Sequence, residues 1–260
     1  MVTGASRGAG RGIVAALADR DWRVYATGRT IGDTPPGVVP VRVDHGDDDA
    51  VAGLFDRVQY ECGRLDLLVN NAATISDALV SPKPFWEKPL ELADVRDVGL
   101  RSSYVASWCA APLLVAAGRG LIAFTSLPGS VCYMHGPANG AQKAGIDKMV
   151  ADMAVDFQGT GVATVSIWMG ILLTEKLRAA FSADPAALAA TAEHAETPEF
   201  TGHLIHALFC DPRLAELSGQ ALIAAELGRR YGITDEGGRR PPSHREMLDS
   251  PRMPSTVVVR

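Results

Sequence analysis

The chain has 260 residues, a formal net charge of −5, 47% hydrophobic residues and 21% charged ones. That balance suits a soluble enzyme with one well-buried α/β domain, and it offers neither the basic excess of a nucleic-acid binder nor a long apolar run for a membrane span. Cys62, Cys109, Cys132 and Cys210 are scattered without paired spacing, so the expectation is reduced thiols, a cytoplasmic setting and no metal.

Val2-Thr3-Gly4 directly after Met1 leaves no space for a secretory leader, so export is not expected. The stretch from Met1 to Gly12 is a short strand running into a glycine-rich turn, and the helical spacing of Ile13, Val14, Leu17 and Ala18 follows it. Such a turn brings backbone N–H groups and a helix's positive end up to an anion, which suits a dinucleotide pyrophosphate; a simple tight turn is the alternative.

Trp22 to Thr27 reads as the second strand, with Arg29 just beyond it and Arg7 back in the turn. An acid about 20 positions past the glycine loop accepts a ribose 2′-hydroxyl, whereas arginine suits a 2′-phosphate. Two guanidiniums therefore favour NADP(H) over NAD(H), unless both are solvated surface charges. Val38 to Val43 is a third strand leading to Asp44, which is placed either to accept from the adenine amino group or to cap a helix. Asp47 to Cys62 is amphipathic, with Val51, Leu54, Phe55 and Val58 on one face. Leu65 to Val69 is the fourth strand, followed by Asn70-Asn71-Ala72-Ala73, small residues with two amides that let a flat ring pass close by; an unremarkable turn is the alternative.

The loop from Thr74 to Pro89 is long enough to suggest a functional role. A helix is predicted over about Leu90 to Ala117, then a buried strand, Gly120 to Phe124. Ser126 lies past its carboxyl end. A helix beginning near Asn139 puts Asn139 and Lys143 on one face, one turn apart, so Ser126, Asn139 and Lys143 are expected to look into one pocket. Val162 to Trp168 is the sixth strand, Thr174 to Thr197 an alanine-rich helical segment broken at Asp184-Pro185, and Gln220 to Ala224 the seventh strand. After Gly232 the composition turns to Pro, Arg, Gly and Ser, the signature of a loosely held tail. The expected architecture is a Rossmann-type doubly wound parallel sheet of about seven strands with helices on both faces: one domain over 1–231, including a lid at about 171–197, and a tail over 232–260.

Thr3-Gly-Ala-Ser-Arg-Gly-Ala-Gly10, Asn70-Asn-Ala-Ala73 and the serine-to-lysine segment have the order and spacing of the short-chain dehydrogenases/reductases, and the chain resembles that family along nearly its whole length. Phe85-Trp-Glu-Lys-Pro89, Val98-Gly-Leu-Arg101, Tyr133-Met134, Trp168 with Gly170, Leu217-Ser-Gly219 and Arg229-Arg-Tyr-Gly232 resemble one branch of it. The resemblance implies cofactor contacts from Thr3, Gly4, Ser6, Arg7, Gly8 and Gly10 in the turn. It adds Arg29, Asp44, Asn70 and Ala72 at the next strand ends, then Lys143, Gly170 and Thr174. Where the family has Pro-Gly, this chain has Met169-Gly170. The resemblance also implies a substrate lid, a small-molecule substrate, and a homodimer or homotetramer formed through the helices that flank the catalytic segment.

In the family a tyrosine exchanges the proton, a lysine four residues later lowers its pKa, and a serine thirteen residues before it orients the carbonyl. Counting from Ser126 and back from Lys143 lands on Asn139 both times. Asparagine does not trade a proton near neutral pH, and general acid–base help is worth roughly 10²–10⁴-fold. A further relay position, usually asparagine, is Gly99, as it is in the resembling branch. Tyr133 and His135 are candidate substitutes; Tyr133 otherwise reads as a pocket wall with Leu127, Met134, Leu172 and Leu173, and His135 as a solvated loop residue. Two functions stand open: an NADP(H)-dependent carbonyl reductase or alcohol dehydrogenase for a lipophilic substrate, and a nucleotide-binding sensor or non-catalytic subunit. A cofactor-free lyase fits poorly, because the glycine turn and both arginines remain.

Overall fold

The computed structural model describes residues 1–259. Six parallel strands form its sheet: β1 (Val24–Thr27), β2 (Val38–Val41), β3 (Leu67–Asn70), β4 (Gly120–Ser126), β5 (Val162–Trp168) and β6 (Gln220–Ile223). Every residue of β1, β3, β4 and β5 is buried, which is why these strands read as continuous apolar runs and not as alternating ones. The seventh position is filled by a stub. Val2 bridges to Ala26 on one side and Val69 on the other, with Val2 N donating to Tyr25 O at 2.9 Å and Thr3 N to Val69 O at 3.0 Å. The spatial order is thus β2, β1, the Val2 stub, β3, β4, β5, β6.

The sheet is covered on both faces. On one, α1 (Gly8–Ala18) and α7 (Pro198–Cys210) bring Ile13, Leu17, Phe200, Leu204 and Leu208 against the strands. On the other, α2 (Asp48–Cys62), α3 (Ser102–Ala117) and α4 (Pro137–Asp156) contribute Val51, Leu54, Phe55, Ala110, Leu114, Ile146 and Val150. Each large apolar side chain buried this way contributes about 1.5–3 kcal/mol relative to exposure. Chain order reverses between the Val2 stub and β3, so the crevice outside that pair of carboxyl ends is where such a sheet receives ligands.

The predicted helix over Leu90 to Ala117 is not one helix. A 3₁₀ segment, Leu90–Arg96, gives way to a kink at Val98 (φ −105°, ψ 96°) and Gly99 (φ 145°), and α3 starts only at Ser102. The cause is local: at that φ only glycine is comfortable, and a Cβ on Gly99 would overlap the Gln142 amide on α4. The kink frees the Val98 carbonyl to accept from Thr74 N at 2.8 Å, tying down the loop after β3. α4 begins at Pro137, two residues before the predicted start, because Pro suits the first turn of a helix, where no N–H partner exists, and Gly136 (φ 101°) turns the chain into it. The third strand ends at Val41 rather than Val43 and is only partly buried.

Beyond β5 the segment expected to form a lid consists of α5 (Glu175–Ala180) and α6 (Pro185–Ala192). Asp184 caps α6 by accepting from Ala187 N at 2.9 Å, which explains the break at Asp184-Pro185. The lid's two feet pair: Leu173 N donates to Glu196 O at 2.9 Å, and Glu196 N to Ile171 O at 2.7 Å. Short helices α8 (Leu214–Leu217), α9 (Ala224–Tyr231) and α10 (Arg245–Leu248) complete the set. Residues after α9 fold back on the domain. Asp235 accepts from Thr197 N (2.9 Å) and Thr197 Oγ1 (2.5 Å), Arg239 donates to Asp235 (2.8 Å) and to the Ala192 carbonyl (2.5 Å), and Arg245 pairs with Glu226 at 2.6 Å. The His244 ring stacks on Trp168 with centroids 6.3 Å apart.

Candidate active site

The glycine turn lies at the switch point. Gly4 (φ 64°) and Gly8 (φ 55°) are both left-handed, a conformation that points successive amides into a concavity suited to an anion. Neither approach tolerates bulk: a Cβ on Gly4 would stand 2.6 Å from Ala72 Cα, and one on Gly10 2.5 Å from Asn71 Nδ2. Thr3 Oγ1 accepts from the amides of Asn71 (2.9 Å) and Ala72 (3.0 Å), while Asn71 Nδ2 donates to the Thr3 and Gly4 carbonyls, both at 3.0 Å. The turn and the end of β3 are therefore one unit. Asn71, which the sequence placed only as half of an amide pair, is its lock. Thr174 stands over the turn, its Cγ2 3.5 Å from a Cβ built on Gly8, and caps α5 by accepting from Leu177 N at 3.2 Å. The neighbouring Glu175 puts its carboxylate on Gly8 N (3.2 Å) and Arg11 (3.4 Å), so the first turn of α1 already holds an anion.

At the adenosine end, Ser6 packs on Gly28, whose added Cβ would sit 2.5 Å from Ser6 Oγ, and Arg7 and Arg29 are both exposed. Asp44 Oδ1 accepts from Gly46 N at 3.0 Å, whereas the cap of α2 is Asp47, accepting from Ala50 N at 3.1 Å. The cap alternative for Asp44 therefore falls to Asp47. Buried His45 contacts Thr27 Oγ1 at 2.9 Å, and burial holds its pKa down to about 4. Asn70 Nδ2 donates to Ser107 at 2.9 Å, Ser107 to the Ser103 carbonyl and Ser103 to that of Gly99. Asn70 Oδ1 is buried without a partner among the described residues.

Ser126 ends β4, and Asn139 and Lys143 occupy the inner face of α4; all three are buried. A Cβ on Gly129 would lie 3.2 Å from Asn139 Nδ2 and 3.4 Å from Lys143 Cγ, so these two meet around one loop, while Ser126 reaches the same helix one turn further on, at Asp147. Asn139 donates to the Met134 carbonyl at 3.1 Å. Burial brings the Lys143 pKa down to about 8 against the upward pull of Asp147. One turn beyond Lys143, Asp147 gathers Ser130 (2.6 Å), Ser166 (2.7 Å), the Trp168 indole N–H (3.2 Å) and, more distantly, Ser126 (3.5 Å). Sequence reading missed Asp147, although its spacing of four from Lys143 was the available signal.

Met169 N donates to the Ser126 carbonyl at 3.1 Å, a bond that proline at this position would forgo. Gly170 N donates to Glu196 Oε2 at 3.1 Å; Glu196 is 1% exposed, and burial raises its pKa to about 7. Of the proposed substitutes, Tyr133 is 80% exposed, and His135, left-handed at φ 62°, has its pKa lowered by burial and by Lys88. Leu173 is buried beside the crevice, Leu127, Met134 and Leu172 partly so, and Tyr133 points outward. Among the described residues no cluster could hold a metal, and no helix is long and apolar enough to cross a membrane.

A doubly wound sheet with a glycine turn at its switch point, a serine ending β4 and a lysine buried on the helix that follows defines a nucleotide-type α/β oxidoreductase scaffold, and the chain belongs to the short-chain dehydrogenase/reductase family: the short chain dehydrogenase profile matches residues 1–185. The human protein dehydrogenase/reductase SDR family member 1 is 40% identical over 261 residues, spanning 92% of this chain and 83% of its own. Pig carbonyl reductase (NADPH) 2 is 32% identical over 194 residues, spanning 71% and 75%. The solved structure titled ElxO with NADP bound shares the fold, with a TM-score of 0.72 at 19% identity over 85% of this chain and 94% of that one.

Proposed function

We propose that the protein is an NADP(H)-dependent carbonyl reductase or alcohol dehydrogenase for a lipophilic carbonyl or alcohol. The observation that carries this reading is the left-handed pair Gly4 and Gly8, locked by Thr3 and Asn71 to the end of β3, with two exposed arginines beside it. The residues present fit the cofactor, since the amide of left-handed Gly8 already holds an anionic stand-in, the Glu175 carboxylate at 3.2 Å. Its pyrophosphate would take the Gly8 amide from Glu175, an exchange of one anion for another at the positive end of α1. Arg7 and Arg29 would pair with a 2′-phosphate. When bound, the nicotinamide supplies the hydride. Ser126 orients the substrate oxygen, with its hydroxyl steadied by Asp147; Lys143 carries positive charge to the reacting end of the crevice; Leu172 and Leu173 exclude water. A homo-oligomer in the cytoplasm belongs to this reading, supported by four free thiols and by Tyr104 and Trp108 standing exposed on α3.

The amide of Asn139 favours a second reading, a nucleotide-binding sensor or non-catalytic subunit, because it is tied to Met134 O and exchanges no proton. Thermal unfolding with NADPH and with NADH tests the cofactor: ligand binding raises the midpoint by mass action, so NADPH is expected to raise it more than NADH. A lack of shift with either removes both readings. Turnover of hydrophobic aldehydes and ketones by wild type against Asn139→Tyr then separates them.

A further inference from the structure

Reduction of a carbonyl needs a proton at oxygen as well as a hydride at carbon, and Asn139 cannot provide it. Tyr133, the phenol in the loop, is 80% exposed. A Cβ on Gly136 would be 3.8 Å from Tyr133 Oη and 3.7 Å from Lys88 Nζ, which places both groups at the outer end of α4, and Lys88 Nζ donates to the His135 carbonyl at 3.4 Å. Lys143 is different. It is 9% exposed, lies on the same helix face as Asn139, and its ammonium makes no hydrogen bond to any described residue. Asn139 turns its amide nitrogen onto the Met134 carbonyl at 3.1 Å and makes no hydrogen bond to Lys143.

We propose that Lys143 itself exchanges the proton with the substrate oxygen, and that Asp147 is the positioning residue that sets its charge state. This rests on the reductase reading above. In reduction an N–H bond of the ammonium breaks, the O–H bond of the alcohol forms as the carbonyl carbon receives the hydride, and the neutral amine regains a proton from water. Oxidation runs the same exchange backwards, with the neutral amine as base. Asp147 is the charge that acts on Lys143, and it raises its pKa while burial lowers it further. The charged residues of the segment packed on the outer side of α4, Glu91, Asp94, Arg96, Asp97 and Arg101, are all exposed, and β4, β5 and β6 bring no charge to it. An ammonium with its pKa near 8 is a far better acid at neutral pH than an ordinary lysine.

The direct test needs no cofactor. In protein carrying ¹³C-labelled lysine, the Lys143 resonance is identified by its loss in Lys143→Arg and followed with pH. We expect a midpoint near 8 in the wild type, moving lower in Asp147→Asn because an attracting negative charge is gone. With saturating NADPH, the single-turnover reduction of a hydrophobic aldehyde is expected to fall about tenfold per pH unit above that midpoint, the break is expected to move with Asp147→Asn, and Lys143→Arg is expected to lose about 10²-fold or more. Since the wild-type titration involves no substitution in the protein measured, misfolding of a variant cannot mask it. A Lys143 midpoint above about 10, a reduction rate indifferent to it, or turnover only in Asn139→Tyr overturns the proposal while leaving NADPH binding intact. Absence of any thermal protection by NADPH fails the reductase reading itself.

Discussion

The two halves of the crevice are built from different materials. Around Gly4 and Gly8 the groups that face a ligand are backbone amides, and their arrangement depends on glycines that can be left-handed and on the bonds that tie Thr3 to Asn71 and Ala72. Around Ser126, Asn139 and Lys143 the working groups are side-chain atoms. A backbone cradle persists through most substitutions that keep its glycines. A side-chain array loses a defined step of chemistry when a single residue changes.

Four changes would break or sharpen that contrast. The largest effect is expected from Gly4→Val, which puts a branched side chain at φ 64° within 2.6 Å of Ala72 Cα. It is expected to abolish thermal protection by NADPH and to cost about 3 kcal/mol in urea unfolding; retained protection would mean that the amides do not form the cofactor's cradle. Glu196→Gln on the other side should stabilise the protein. The buried carboxyl keeps its proton up to about pH 7 in the folded state, whereas the unfolded chain loses it near 4.5, so stability declines across that window and the full penalty is present above it. Gln removes the penalty while still accepting from Gly170, for a gain of about 2 kcal/mol at pH 8 and none below pH 4. An equal gain at both pH values would contradict the burial of a proton there.

Smaller is the effect of Arg29→Ala, which should lower the preference for NADPH over NADH by about tenfold, one bidentate phosphate contact being worth that much. Equal loss for both nucleotides would remove Arg29 from the 2′-phosphate. Smallest is Glu175→Gln. It withdraws a charged competitor from Gly8 N, so NADPH binding, measured by titration calorimetry at low salt, should tighten by about threefold, with the gain fading as salt rises. Weaker binding would mark Glu175 as part of the cradle instead of its occupant.

Much of this was legible because it is written in local rules. Buried parallel strands such as Leu121 to Phe124 are unbroken apolar runs, and the turn announces itself through Gly4, Gly8 and Gly10. What escaped depended on meeting across distance. Gly99 reads in sequence only as a relay position inside one predicted helix, but its φ and the Gln142 amide opposite it make it a kink. Asp147 is an unremarkable acid on a helix until Ser130, Ser166 and Trp168 converge on it from three other segments. Glu196 and Asp235 gain meaning only because the segment after α9 returns to the root of the lid.

That root has a mechanical consequence. With Ile171 and Leu173 stitched to Glu196, and Asp235 and Arg239 buttoned over Thr197 and Ala192, the segment between them is a pouch drawn shut at its neck. On the reductase reading, with this segment as the lid over substrate, shortening α6 is expected to narrow the choice of substrate while leaving the nucleotide seat undisturbed.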